Sequence, residues 1–232
     1  MILYDKLEKE TGKDYAYRVI KDNIMSLELK PGEVLSESDL AQKLNVSRTP
    51  IREVLIKLKS EKLIEVKPQT GTYVSLIDWN LIDQAVFMRY NLEKKVLEEA
   101  ATNLNEDALI EMEKCLFAQK LIKDKQNNSI EFHYLDNKFH KLLFEGTGKS
   151  GIWDAIANIS THYNRMRLLA DIKKDKIYLI DEHMQYLNII KRKNEDKVLI
   201  EEIAKKHIIE PSIEWVKLVE ENEEIRSYIK NM

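Results

Sequence analysis

Apolar side chains recur at helical spacing from the beginning of the chain. Tyr15, Val19, Ile20, Ile24 and Leu27 form one stripe and predict a helix over 15–27. Pro31 and Gly32 then turn the chain. Ser36 and Asp39 have the spacing of a capping box, with Asp39 as a shorter stand-in for glutamate. The helix they open runs to about Leu44, with Leu40, Ala41 and Leu44 inward. Asn45 follows at the end, where a left-handed residue is wanted. A second helix starts almost at once, with Ile51, Val54, Leu55 and Leu58 as its buried stripe. Thr49 and Pro50 suit the N-cap and first helical positions, and Ser47 is the rival cap. The pattern then changes to two strand-like runs, 63–66 and 72–75, joined by a turn at Gln69-Thr70-Gly71, which reads as a hairpin wing.

From Trp79 onward the period is helical, with no strand-like alternation. Runs fall over 79–103, 106–125, 129–145, 150–171, 174–193 and 196–230, predicting an antiparallel bundle of about six helices. Asn105, Ser129 and Asn194 are candidate caps, Gly146 and Gly148 mark a break, and Pro211 should kink or split the last run. The expected organisation is a winged helix-turn-helix over 1–76 and an all-helical domain over 77–232, with a short hinge near 75–78.

Composition narrows the class. Hydrophobic residues make up 44% of the chain and charged residues 33%, a balance that supports a globular core. Six glycines and four prolines are too few for a turn-rich all-β architecture. The opening MILYDKLEKETGKD lacks the pattern of a signal peptide, and no apolar run reaches the length of a membrane span. The lone Cys115 cannot form an internal disulfide, which suits a reducing cytoplasm. The formal net charge of -3 argues against nucleic acid, but its distribution does not. Between Lys43 and Lys67 seven lysines and arginines face three glutamates, a local +4, so the rest of the chain carries -7. A basic segment on an acidic body is the footprint of a DNA-binding module. Arg48, Thr49 and Arg52 lie off the apolar stripe near the start of their helix, where a recognition helix meets base edges and phosphates.

The stretch from Leu29 to Val74 resembles the winged helix-turn-helix of the GntR family of bacterial regulators. Pro31-Gly32, Leu40-Ala41, Ser47-Arg48-Thr49-Pro50, Arg52-Glu53, Leu58 and Gly71 carry the likeness. The resemblance implies DNA contacts from Arg48, Thr49 and Arg52, with the wing tip at Gly71 approaching the minor groove. It adds Ser36 and Ser38 as DNA-facing positions, although some relatives carry arginine where Ser38 stands. Many have glycine at the positions of Asn45 and Lys62.

In the second domain the histidines occupy unusual places. Asp136 and His140 lie one turn apart beside the apolar stripe of Phe132, Leu135, Phe139 and Leu142. His183 is in line with Ile180, Leu187 and Ile190, and His207 continues Ile200 and Ile203. A carboxylate and three imidazoles thus point inward, and one divalent cation would satisfy all four. A single inward histidine is more often a hydrogen-bonded core residue, and His133 and His162 also read as inward. Periodicity alone does not separate ligands from such neighbours.

The second domain is similar to the FCD domain of FadR-type GntR regulators, through Arg89 and Glu93, Asp136 with Phe139-His140, Glu182-His183 with Ile189-Ile190, and Lys206-His207. That likeness implies a divalent metal (zinc, nickel, manganese or iron) on Asp136, His140, His183 and His207, and leaves out His133 and His162. It further implies a small organic-acid or sugar-acid effector beside the metal, paired by Arg89, with Arg165 and Arg167 as further candidates. For Arg89 the competing reading is an ion pair with Glu93 one turn along. The implied function is ligand-responsive transcriptional control by a homodimer on a roughly palindromic operator. A helical metalloenzyme is the alternative, but the chain has no Glu-x-x-His pair, no His-Glu-x-x-His, no phosphate loop and no Gly-x-Ser-x-Gly, and no catalytic residue is assigned.

Overall fold

The computed structural model describes residues 1–125, 128–171 and 177–232. The chain divides into two units, Met1–Trp79 together with Glu224–Met232, and Asn80–Glu223.

In the first unit, α1 (Gly12–Met25) starts where the Thr11 hydroxyl accepts the Asp14 N–H. Strand β1 (Val34–Leu35) precedes α2 (Glu37–Leu44), which Ser36 caps by accepting the Asp39 N–H at 3.3 Å. Asn45 ends α2 in the left-handed region, at φ 51° and ψ 47°. Helix α3 (Arg48–Ser60) begins one residue before Thr49, with Ser47 at the cap position. Pro50 therefore falls inside the first turn, where its missing N–H costs nothing because that turn's N–H groups have no partner in the helix. The wing is β2 (Ile64–Lys67) and β3 (Gly71–Val74), antiparallel, with β1 on the far side of β3 in the order β1-β3-β2. Gln69 (φ 62°) and Gly71 (φ 138°) make the reversal at its tip. Ile20, Ile24, Leu40, Ile51, Val54 and Leu58 meet in the core between the three helices.

The segment expected to be a hinge is tied down. Ser75 donates its N–H to Leu63 and its hydroxyl to Lys62, and β4 (Ile77–Asp78) pairs in parallel with β5 (Ile229–Lys230). The end of the chain, assigned by its pattern to a helical run, returns to the first unit because these backbone groups find partners there.

The second unit is helical. Helices α4 (Trp79–Asn103), α5 (Glu106–Ile122) and α6 (Ser129–Gly146) follow the expected runs. Asn105 caps α5, while Asn128 rather than Ser129 takes the cap position of α6. The run over 150–171 is two helices, α7 (Ser150–Ile159) and α8 (Thr161–Asp171), broken at Ser160, whose hydroxyl bonds back to the Ile156 carbonyl. Helix α9 spans Ile177–Lys191, and residues 174–176 of the expected run lie outside the described residues. Lys193 (φ 50°) ends that turn. Asp196 then caps α10 (Lys197–Ala204), and Asn194 instead accepts the Asp196 N–H.

The last run is not one helix. A π-helical turn, Lys205–Ile209, separates α10 from α11 (Glu210–Glu221), and α12 (Glu223–Ser227) follows. Pro211 in the first turn of α11 gives the reason. It has no N–H to offer, and in an α-helix its ring would strike the carbonyl four residues back, that of His207. The wider turn absorbs the mismatch and holds His207.

The end of α6 at Gly146 packs tightly against Leu104 and Ala108. A Cβ there would lie 2.6 Å from Ala108 Cβ and 2.6 Å from Leu104 Cδ1. Gly146→Ala is therefore expected to destabilise the fold by ~1–3 kcal/mol through overpacking. Chemical denaturation checks this, and a wild-type midpoint would show that the packed segments can part without cost.

Candidate metal centre and nucleic-acid interface

The first unit presents the residues singled out for DNA on its surface. Arg48, Thr49 and Arg52 are exposed at the leading end of α3, and no side-chain oxygen caps that end. Its free N–H groups and the two guanidiniums suit an anionic backbone. Arg52 Nε lies 2.8 Å from Glu37 Oε2, which steadies the arginine from α2. Ser38 is exposed and Ser36 half-buried, and their hydroxyls lie 2.9 Å apart. Gly71 stands at the wing tip.

In the second unit α6, α9 and the π-helical turn bring four predicted residues together. One ligand atom from each of Asp136, His140, His183 and His207 falls within 4.8 Å of the others, and all four side chains are buried. His140 Nε2 lies 3.3 Å from His183 Nε2 and 2.9 Å from His207 Nε2. Asp136 Oδ1 lies 3.3 Å from His183 Nε2 and has no hydrogen-bond partner. His133 and His162 stand apart. His133 pairs with Asp171 at 2.8 Å, and His162 Nδ1 lies 3.0 Å from Arg165 Nη2.

The opposite edge of each imidazole faces an acceptor oxygen. His140 Nδ1 lies 2.9 Å from Glu93 Oε1, His183 Nδ1 2.8 Å from Gln119 Oε1, and His207 Nδ1 2.8 Å from Glu182 Oε2. With protons on the Nδ1 side, the three Nε2 lone pairs converge, an arrangement that repels itself unless a cation stands between them. Ligands held at metal–nitrogen distances of ~2.1 Å sit ~3.0–3.4 Å from one another; here His140–His183 and Asp136–His183 stand at 3.3 Å, His140–His207 at 2.9 Å and Asp136–His140 at 3.9 Å. The donor set therefore fits a divalent ion. Phe139 stacks on the His183 ring at 4.4 Å and limits its rotation.

The electrostatics follow from burial. Burial pushes His140 down to about 4, against the pull of Glu93, and holds His207 well below the usual histidine range, helped by the neighbouring imidazoles. Both rings are thus free of the extra proton that would block a metal. Burial raises Asp136, but Arg167 and the histidines outweigh it and keep the carboxyl well below its ordinary value. Glu93 is likewise lowered, as His140 and Arg89 overcome its burial. Burial lifts Glu182 to about 7, with Lys206 pulling against it, so the ionised acceptor is populated near neutral pH.

Two of the three arginines expected to hold an effector join this cluster. Arg167 Nη1 donates to Asp136 Oδ2 at 2.7 Å, and Arg89 Nε lies 3.0 Å from Glu93 Oε2. The Arg89–Glu93 ion pair is thus present, but inside the bundle and not on its surface. Arg165 is buried on α8, pushed down to about 9 by that burial, and is held against His162. Gln119, Tyr186 and the acceptor role of Glu182 escaped the sequence reading. Each lies on an inward helical face, but nothing in spacing alone tells an orienting partner from core.

Comparisons with known proteins agree across both units. Residues 13–74 match the bacterial regulatory proteins of the gntR family, and residues 84–209 match the FCD domain. The chain is 30% identical to the HTH-type transcriptional repressor RspR of Escherichia coli over 78% of this chain and 80% of that one. It is 27% identical to the gluconate operon transcriptional repressor of Bacillus licheniformis, over 78% and 76% of the two chains. Among solved structures, Escherichia coli McbR/YncC shares the fold with a TM-score of 0.72 at 19% identity, over 90% of this chain and 98% of that one. The two curated relatives are named as transcriptional repressors, and neither the matched family nor these names describes an enzyme. No helix among the described residues is long and apolar enough to cross a membrane. The chain belongs to the gntR family of bacterial transcriptional regulators, with a winged helix-turn-helix followed by an FCD domain.

Proposed function

We propose that this protein is a metabolite-responsive transcriptional repressor of the FadR type, whose helical domain binds a divalent metal and a small carboxylate effector. The observation that carries the reading is the convergence of three Nε2 atoms and an unpartnered Asp136 oxygen, with each Nδ1 facing an acceptor. Asp136, His140, His183 and His207 would hold the ion, which would supply a Lewis-acidic seat for an anionic oxygen. Zinc, nickel, manganese and iron all suit three imidazoles and one carboxylate.

Charge balance supports an anionic effector. Among the described residues, Arg89, Arg165 and Arg167 are buried in the same unit as Glu93, Asp136, Asp171 and Glu182, three cations against four carboxylates. A divalent ion adds two positive charges to an interior already near balance, and a carboxylate offsets part of that excess. Arg89 and Arg167, joined to the cluster through Glu93 and Asp136, are the effector-facing arginines, and Arg165 reinforces the positive field. The names of two relatives support repression, and the gluconate operon of one supports a sugar acid as the effector class.

The head up to residue 76 would recognise DNA through Arg48, Thr49 and Arg52, with Ser36, Ser38 and Gly71 on the phosphates and groove edge. The helical domain from residue 77 would sense and dimerise, so that a homodimer spans a roughly palindromic operator. Control requires that the effector bind the DNA-competent and DNA-incompetent arrangements with different affinity.

Two outcomes are expected. Elemental analysis should find a stoichiometric metal in the wild type and its loss in Asp136→Ala and His183→Ala; equal metal in all three removes the metal assignment. In fluorescence anisotropy on the operator, Arg48→Ala and Arg52→Ala should each cost ~1–3 kcal/mol. Wild-type binding by both variants overturns the major-groove assignment.

A further inference from the structure

Glu93 has a partner on every side. Its Oε1 lies 2.9 Å from His140 Nδ1 and accepts the Tyr186 hydroxyl at 2.9 Å. Its Oε2 faces Arg89 Nε at 3.0 Å. Arg89, Glu93, His140 and Tyr186 are all buried. Arg89 also directs Nη1 to the Tyr163 hydroxyl at 3.3 Å, while its Nη2 is buried without a hydrogen-bond partner. A buried guanidinium nitrogen in that condition is poised for an oxyanion.

We propose that Glu93 is a positioning residue that couples Arg89 to His140, so that an anion on Arg89 and a metal on His140 strengthen one another's binding. The inference rests on the metal reading above and adds a route between its two ligands. One carboxylate stands within ion-pair distance of both a guanidinium and the Nδ1 edge of an imidazole, and charge drawn toward Arg89 is withheld from His140. An oxyanion that engages Arg89 weakens its hold on Glu93. Glu93 then acts more strongly on the Nδ1 edge of His140, and Nε2 becomes a better donor to a metal. Linkage makes the effect reciprocal. The Arg167–Asp136 pair has the same form, but Asp136 is itself in the proposed ligand set. Glu93 is where coupling separates from ligation.

The test is a double-mutant cycle with zinc alone as the probe, no effector being required. Zinc affinity is measured by competition with a chromophoric chelator for the wild type, Arg89→Gln, Glu93→Gln and the double variant. Thermal unfolding of the metal-free proteins shows which are folded. Glu93→Gln should weaken zinc binding ~10–100-fold. Arg89→Gln should tighten it by at least about threefold in the wild-type background, and by clearly less when Glu93 is already glutamine. Loss of a positive charge near a cation would act equally in both backgrounds, so the inequality is the signature of the shared carboxylate. Arg89→Lys keeps the charge but loses the fork, and should also tighten zinc; it replaces Arg89→Gln in the cycle if that variant does not fold. Tyr186→Phe, which frees Glu93 Oε1 from its second donor, should act in the same direction. Equal factors in the two backgrounds, with Arg89→Lys and Tyr186→Phe at the wild-type value, overturn the coupling while leaving the metal site standing. A wild type that binds no zinc overturns both.

Discussion

The carboxylates of Glu93, Asp136 and Glu182 lie inside the helical unit, where an isolated charge is too costly to persist. Each is matched. Arg89 holds Glu93, Arg167 holds Asp136, and His207 with Lys206 faces Glu182. Such pairs add little net stability over a well-packed apolar core, but breaking one leaves an uncompensated charge. Their consequence is orientation. Because each carboxylate reaches its partner from one position, α4, α6, α8 and α9 and the turn bearing His207 must meet in one register. The convergence of the imidazoles follows from that register.

Much of this was legible beforehand, for identifiable reasons. The head is built from local rules: Ser36 as cap, Asn45 in the left-handed region, Gly71 at the wing tip. Each depends on a few adjacent residues, so the sequence alone determines it. The inward faces of α6 and α9 were also readable, because Asp136, His140 and His183 share a period with large apolar neighbours. Which inward histidines would meet was not a matter of period. His133 lies on the same helix as His140 and is just as deeply placed by pattern, yet it pairs with Asp171 on α8. Only the packing of α8 against α6 decides between them.

What stayed hidden depends on contacts distant in sequence or on departures from ideal geometry. The pairing of β4 with β5 joins residues about 150 positions apart, and two-residue strands carry no alternation to detect. The break at Ser160 and the π-helical turn before Pro211 are register changes inside runs that remain apolar on one side. Pro211 signalled a disruption, but not that it would be met by widening the preceding turn. That choice matters because His207 lies within the turn, so its direction is set by a π register and not by the α-helical spacing from Ile200 and Ile203.

Gln119 shows how the charge constraint selects a residue type. Two of the three imidazoles face carboxylates, Glu93 and Glu182, and the third faces an amide. A carboxylate at 119 would accept the His183 N–H at least as well. It would also add a further buried negative charge near Asp136, whose own oxygen already lies 3.3 Å from His183. Buried arginines already face Glu93 and Asp136, Arg165 stands against His162, and Lys206 lies 4.0 Å from Glu182. The amide offers a carbonyl oxygen at 2.8 Å and no charge. It directs the His183 proton away from the cluster by a dipole, and the balance between arginines and carboxylates is left undisturbed.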